Sequence, residues 1–356
     1  MSGERYTSFR PGQEWLDTSG SPIQAHGGSI IAVDSTYYWY GENKERTTPG
    51  SGIWHWGVRC YSSTDLYNWT DEGVIIPPDE DDPASPLHPG RGMDRPHIVH
   101  NPHTGKYVCW IKVMSGSVQL STTLVADSIL GPYTKAKVDF RPLGMYAGDF
   151  DLVVDPEDGK GYYVFERVHS ELIIADLTDD FTDVTGYYST HFHHGRPPFT
   201  REAPAHLRRH GRHYLVTSGT TGYYPNASEV ATARTMHGPW TIVGDPHPDD
   251  ASRTSYRTQV SSVFKVPDRD VYIALGDRWL PDYEADGAEA YDLFDEYFAK
   301  IEAGMPDTGM RELTVPDPSR ARYVWLPIRF ADDGRVLIDW HDEWTLEDTG
   351  HAPGGR

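Results

Sequence analysis

The sequence predicts an all-β fold: a five-bladed β-propeller with a short helical insertion in the last blade. Three observations carry this. One plan recurs along the chain, a strand that begins at a polar residue, a turn, and a second strand rich in Tyr, Val and Ile. The starting residues are evenly spaced, with Asp149 lying 55 residues after Asp94, Glu202 53 after that, and Gln259 57 further on. Tyr, Trp, Gly and Pro are frequent, at 22, 11, 34 and 27 of 356 residues, which suits many short strands joined by tight turns. Units of about 40–50 residues, each holding four strands, are the pattern of propeller blades.

Taken in order, residues 1–22 are polar and turn-rich and are read as a segment wrapping the outside of the fold. The first blade starts near residue 23, where Ile23–Val33 and Tyr37–Glu42 flank a turn at Asp34-Ser35, and two weaker strands follow. The second starts near Asp94 and turns at His103-Thr104-Gly105, and the third starts near Asp149 and turns at Glu157-Asp158-Gly159. The fourth starts near Glu202 and turns at His210-Gly211. The fifth starts near Gln259, and residues 323–340 supply its outer strands. Residues 286–303 break the pattern: Tyr291, Phe294, Phe298 and Ile301 recur at helical spacing, which predicts a helix packed on the propeller rim. No linker interrupts the repeats, so residues 1–356 are expected to form one catalytic propeller domain.

The formal charge of −21 argues against nucleic acid as a partner, because phosphate binding needs basic surface. A neutral ligand such as a sugar is compatible, and aromatic side chains stack well on pyranosides. Cys60 and Cys109 each sit inside a strand-like run and read as buried free thiols. No apolar run approaches the length of a membrane span, and the first residues lack the apolar core of a signal peptide, so a cytoplasmic location is expected. No cofactor or metal is predicted. The acidic run Asp79–Asp82 reads as a solvated loop rather than a calcium site, and His191, His193 and His194 read as a loop without the carboxylate spacing of a metal site.

The innermost strands of a propeller start around one mouth of the central channel. Equivalent residues of the repeats therefore converge there, and these are His26, Asp94, Asp149, Glu202 and Gln259. Clustered carboxylates without a cysteine or metal motif suit glycoside hydrolysis. One carboxylic acid protonates the leaving oxygen, and a neighbouring carboxylate keeps it protonated by like-charge repulsion. In an inverting enzyme a second group activates water from the opposite face, about 6.5–9.5 Å away.

A family resemblance sharpens these roles. Ala25-His26-Gly27-Gly28, Tyr37–Glu42, Asp94-Arg95-Pro96, the REAPA stretch Arg201–Ala205, Thr217-Ser218-Gly219 with Gly222 and Asn226, Gln259, and the GDRW stretch Gly276–Trp279 together resemble glycoside hydrolase family 43. The branch they resemble contains exo-β-1,3-galactanases. The resemblance implies a five-bladed propeller and an inverting mechanism. It implies Glu202 as general acid and Asp149 as the modulator of its pKa, a role Asp151 on the same strand face could also take. The aspartate base of most of the family is missing at His26-Gly27, and Gln259 matches the glutamine that serves as a possible base in this branch. Glu42 and Asp94 are the acids that could orient sugar hydroxyls or take over the base role. The branch usually carries Glu where this chain has the shorter Asp94. His26, Arg95, Trp110, Thr220, Thr221, Asn226, Asp277 and Arg278 are implied to bind substrate. The expected activity is exo-acting release of terminal galactose from β-1,3-linked galactan or arabinogalactan oligosaccharides. An α-L-arabinofuranosidase, a β-D-galactofuranosidase and a sugar-binding propeller without catalysis are the alternatives.

Overall fold

The structure is a computed structural model that describes residues 5–115, 118–284 and 286–349. Its strands form five four-stranded antiparallel sheets, each built from consecutive strands. Blade 1 holds β1 (His26–Val33), β2 (Thr36–Glu42), β3 (Val58–Ser63) and β4 (Thr70–Ile76). Blade 2 holds β5 (Gly92–His100), β6 (Tyr107–Ser115), β7 (Val118–Ala126) and β8 (Thr134–Phe140). Blade 3 holds β9 (Ala147–Val154), β10 (Gly161–Arg167), β11 (Glu171–Leu177) and β12 (Val184–His191). Blade 4 holds β13 (Arg201–Arg209), β14 (Arg212–Gly219), β15 (Glu229–Ala233) and β16 (Thr241–Gly244). Blade 5 holds β17 (Gln259–Lys265), β18 (Tyr272–Arg278), β19 (Arg322–Phe330) and β20 (Val336–Ile338), with helix α1 (Gly287–Glu302) between its second and third strands. The five inner strands touch in a closed ring, β1 to β5, β9, β13, β17 and back to β1. The predicted five-bladed propeller with a helix in its last blade is the fold observed.

Apolar layers between neighbouring blades hold the ring together. Cys60 and Cys109 lie in one such layer as buried free thiols. No helix is long and apolar enough to cross a membrane among the described residues. The seam between blades 1 and 5 is filled by Trp39, Trp69, Trp325 and Trp344, and part of this cluster comes from the segment expected outside. Phe9 is 1% exposed, pairs with Trp344 through two backbone hydrogen bonds of 2.8 and 3.1 Å, and stacks on its ring at 4.2 Å. Trp15 packs on Trp39 and Trp325. The segment that precedes β1 is therefore a wedge that closes the ring, because burying two large aromatic rings outweighs leaving a polar chain on the surface. Phe9→Ala is predicted to cost about 3–5 kcal/mol, the usual loss for a buried aromatic. A chemical denaturation midpoint reads this, and a change below about 1 kcal/mol would show that the wedge does not hold the seam.

Each inner strand carries a register shift near the same end of the channel. The shifts fall between His26 and Ser29, Asp94 and His97, Ala147 and Phe150, Glu202 and Ala205, and Val260 and Ser262. Bulges re-aim side chains and gather next to functional sites. Three have a residue with positive φ directly after a candidate site residue: Gly27 (61°), Arg95 (53°) and Ala203 (47°). Below the bulges the ladders are regular, and Asp151 links three blades there. It accepts from the His206 backbone N–H at 2.7 Å and lies 3.0 Å from His97 Nδ1.

Candidate active site

Above the bulges lies a cavity of about 360 Å³. Its floor is ionic: Glu42, Asp94, Arg95, Lys112, Asp149, Glu202 and Gln259. Its walls are Trp54, Tyr223, Trp279, Phe294 and Phe298. Four expected acids, Glu42, Asp94, Asp149 and Glu202, and the expected amide thus come together with Arg95 and Thr220.

Arg95 is the hub. Its backbone N–H donates to Glu42 Oε1 at 2.9 Å, and its Nη2 donates to Asp149 Oδ2 at 2.9 Å and to Gln259 Oε1. Its Nη1 is buried with no partner among the described residues. Two buried lysines complete the floor. Lys112 Nζ bridges Asp149 Oδ1 at 2.7 Å and Asp94 Oδ2 at 3.1 Å. Lys44 Nζ lies 2.7 Å from Glu42 Oε2 and 3.7 Å from Asp94 Oδ1. Trp54 Nε1 donates to Asp94 Oδ1 at 2.6 Å.

These charges push the acids apart. Burial raises the pKa of Glu202, the Asp149 and Glu166 carboxylates raise it further, and Lys112 and Arg95 only partly offset them, so it ends well above the ordinary glutamate value. Burial also works against ionised Asp149, but Arg95 and Lys112 outweigh it and hold this carboxyl below the usual range. Asp94 is treated alike: burial pushes it up, Lys112 and Lys44 win, and it stays ionised. Glu42 is pushed up to about 7 by burial, with Asp94 adding to the rise and Lys44 opposing it. The site therefore sets a carboxyl whose surroundings favour its protonated form beside carboxyls that cations favour as ionised, the arrangement that separates acid from base.

Other expected contacts fall elsewhere. Trp110 is buried between blades 2 and 3 against Tyr163, with its Nε1 donating to Phe181 O at 2.8 Å. It sits one pleat repeat too deep, and Lys112, two residues on, takes the place at the mouth. His26 is fully buried between Asp277 (3.0 Å) and Tyr323 (3.3 Å), so His26 and Asp277 brace the floor from behind. Asp277 also accepts from the Gly27 N–H at 3.0 Å, next to Glu42. Arg278 points the opposite way along β18, donates to Tyr256 O at 2.9 Å and covers the Trp340 ring. Thr221 and Asn226 bond to each other at 2.6 Å, and Asn226 also clamps Gly219, which shapes the loop that presents Thr220 and Tyr223. Asp151 lies below the floor, so Asp149 is the carboxylate beside Glu202.

The helix corrects another expectation. It does more than pack on the rim, since Phe294 and Phe298 face the cavity. Asp286 caps it by accepting from Ala288 N at 2.9 Å, and Phe294 packs with Tyr224, Trp279 and Leu280. Tyr291 leans on Gly219, where a Cβ would come 2.3 Å from its hydroxyl. Among the described residues no group of three or more His, Cys, Asp or Glu could hold a metal ion. His193 pairs with Glu171, and Asp79 with Lys135.

A propeller in which burial and anionic neighbours favour the protonated form of one carboxyl is equipped to protonate a glycosidic oxygen, and the class this defines is the glycoside hydrolases. Within it the chain belongs to glycosyl hydrolase family 43, whose model matches residues 21–284. No curated protein matches the sequence. Solved structures do. A family 43 β-1,3-galactosidase is 28% identical with a TM-score of 0.77, over 97% of this chain and 64% of that one. A second β-1,3-galactosidase of the family, solved with galactodeoxynojirimycin, is 27% identical with a TM-score of 0.77, over 95% and 100%. An exo-β-1,3-galactanase from Clostridium thermocellum is 26% identical with a TM-score of 0.73, over 94% and 66%. The chain thus spans less than two thirds of the length of the first and third of these.

Proposed function

We infer that this chain is an exo-acting, inverting hydrolase that releases terminal galactose from β-1,3-linked galactan and arabinogalactan oligosaccharides. The observation that carries it is Glu202, a buried carboxyl whose pKa is raised by burial and by Asp149 and Glu166 at the mouth of the channel. Three solved relatives named for β-1,3-galactose chemistry support the choice of sugar and linkage.

Glu202 protonates the departing oxygen, and Asp149 keeps that proton in place until it is needed. Gln259 is a poor water-activating base here. Its Nε2 donates to Glu202 Oε1 at 3.1 Å and to Ser218 at 2.9 Å, while its Oε1 accepts from Arg95. An amide bonded directly to the acid lies too near it to work from the other face of the sugar. Asp94 is ionised, faces the cavity and makes no bond to Glu202, so the base role goes to Asp94 and Gln259 positions the acid. Proton NMR of the digestion of β-1,3-galactobiose tests both roles. The wild type should release α-galactose first. Asp94→Asn should be slow, with azide restoring turnover as α-galactosyl azide. First release of β-galactose would overturn the inverting reading, and azide rescue of Gln259→Ala alone would return the base to Gln259.

A further inference from the structure

One wall of the cavity has no part in this chemistry: Phe294 and Phe298 of α1, facing Gln119 of blade 2 and His169 of blade 3. Contacts tie this wall to the proton donor. The Phe298 ring meets the His169 ring edge-on at 5.8 Å. His169 donates its backbone N–H to Glu166 Oε1 at 2.7 Å, and its Nδ1 lies 3.1 Å from the same oxygen. Glu166 Oε2 lies against Gly148, where a Cβ would come within 2.1 Å, and Gly148 precedes Asp149 in β9. The wall therefore stands beside the Asp149 and Glu202 pair, where the departing oxygen collects its proton.

Two features of the wall call for a ligand. Phe298 is half-buried and offers the cavity only an apolar face. Gln119 Oε1 is buried and has no hydrogen-bond partner among the described residues. A buried acceptor left bare costs free energy that a hydroxyl donor would recover. A pyranoside has both complements, a face of C–H groups for the rings and hydroxyls for the amide. An aryl or alkyl group would cover the phenylalanines and leave Gln119 bare.

We propose that α1 builds the leaving-group subsite, in which the second sugar of the substrate lays its C–H face on Phe298 and Phe294 and donates a hydroxyl to Gln119 Oε1. This rests on the reading of Glu202 as proton donor. The test compares kcat/KM for β-1,3-galactobiose with that for β-galactosyl fluoride, whose small leaving group reaches no second subsite. Phe298→Ala and Gln119→Leu should each lower the galactobiose value by about tenfold or more relative to the fluoride value. Thermal melts check that both variants are folded. Equal proportional losses on the two substrates, or no loss in either variant, would overturn the subsite. So would a wild type that cleaves the fluoride but not galactobiose. A wild type inactive on both would overturn the underlying galactosidase reading, and the subsite with it.

Discussion

Replacing Glu202 with Gln should lower kcat on β-1,3-galactobiose by about 10³-fold, within the usual contribution of a positioned general acid. The substitution keeps the shape and removes the proton. The carbonyl of the new amide can still accept from Gln259 Nε2, now 3.1 Å from Glu202 Oε1, so the floor is not asked to rearrange. Galactobiose affinity, measured by calorimetry on the inactive variant, should stay within about threefold of the wild-type KM, because the proton donor acts in the transition state. An active Glu202→Gln enzyme would remove Glu202 from the mechanism.

Asp149→Asn should act through Glu202, and its signature is in the pH profile. The negative charge of Asp149 disfavours ionisation of Glu202. Without it, Lys112 and Arg95 are left opposite Glu202 with less compensation, and both favour its ionised form. The proton donor is then lost at a lower pH, so the alkaline limb of kcat moves toward acid. At neutral pH the drop should be about 10²-fold. The variant should also melt earlier, since two buried cations lose a partner. If kcat falls while the alkaline limb stays in place, Asp149 only holds the floor together.

The blades were legible because their starting residues repeat, and a repeat position in a propeller is a place in space. That reasoning finds Asp94, Asp149, Glu202 and Gln259. It misses Lys112, Lys44, Trp54 and Tyr223, which come from second strands and connecting loops, where the blades differ in length and share no phase. One signal was available for Lys112. The inner hairpins pair His26 with Glu42, Asp94 with Lys112, Glu202 with Ser218 and Gln259 with Asp277. Counting across each turn from a site residue names the residue opposite it. Trp110 and Arg278 came from the resemblance alone: Trp110 lies one pleat repeat deeper than the floor, and Arg278, next to Asp277 on its strand, faces the opposite way. Phe294 and Phe298 carried helical spacing in the sequence, but spacing does not say what a helix leans over.

The link made by Asp151 has a further meaning for a site divided among separate sheets. Asp94, Asp149 and Glu202 each ride on a different blade, and no single rigid element carries two of them. Their mutual alignment is a matter of how three sheets are rotated about the channel axis. Beneath the floor, one carboxylate engages the strand of each: His97 on β5, its own β9, and the backbone of β13. Asp151 is thus an indexing pin. Disturbing it leaves every reacting group chemically intact while detuning their angles, so loss of activity at this position would report misalignment rather than missing chemistry.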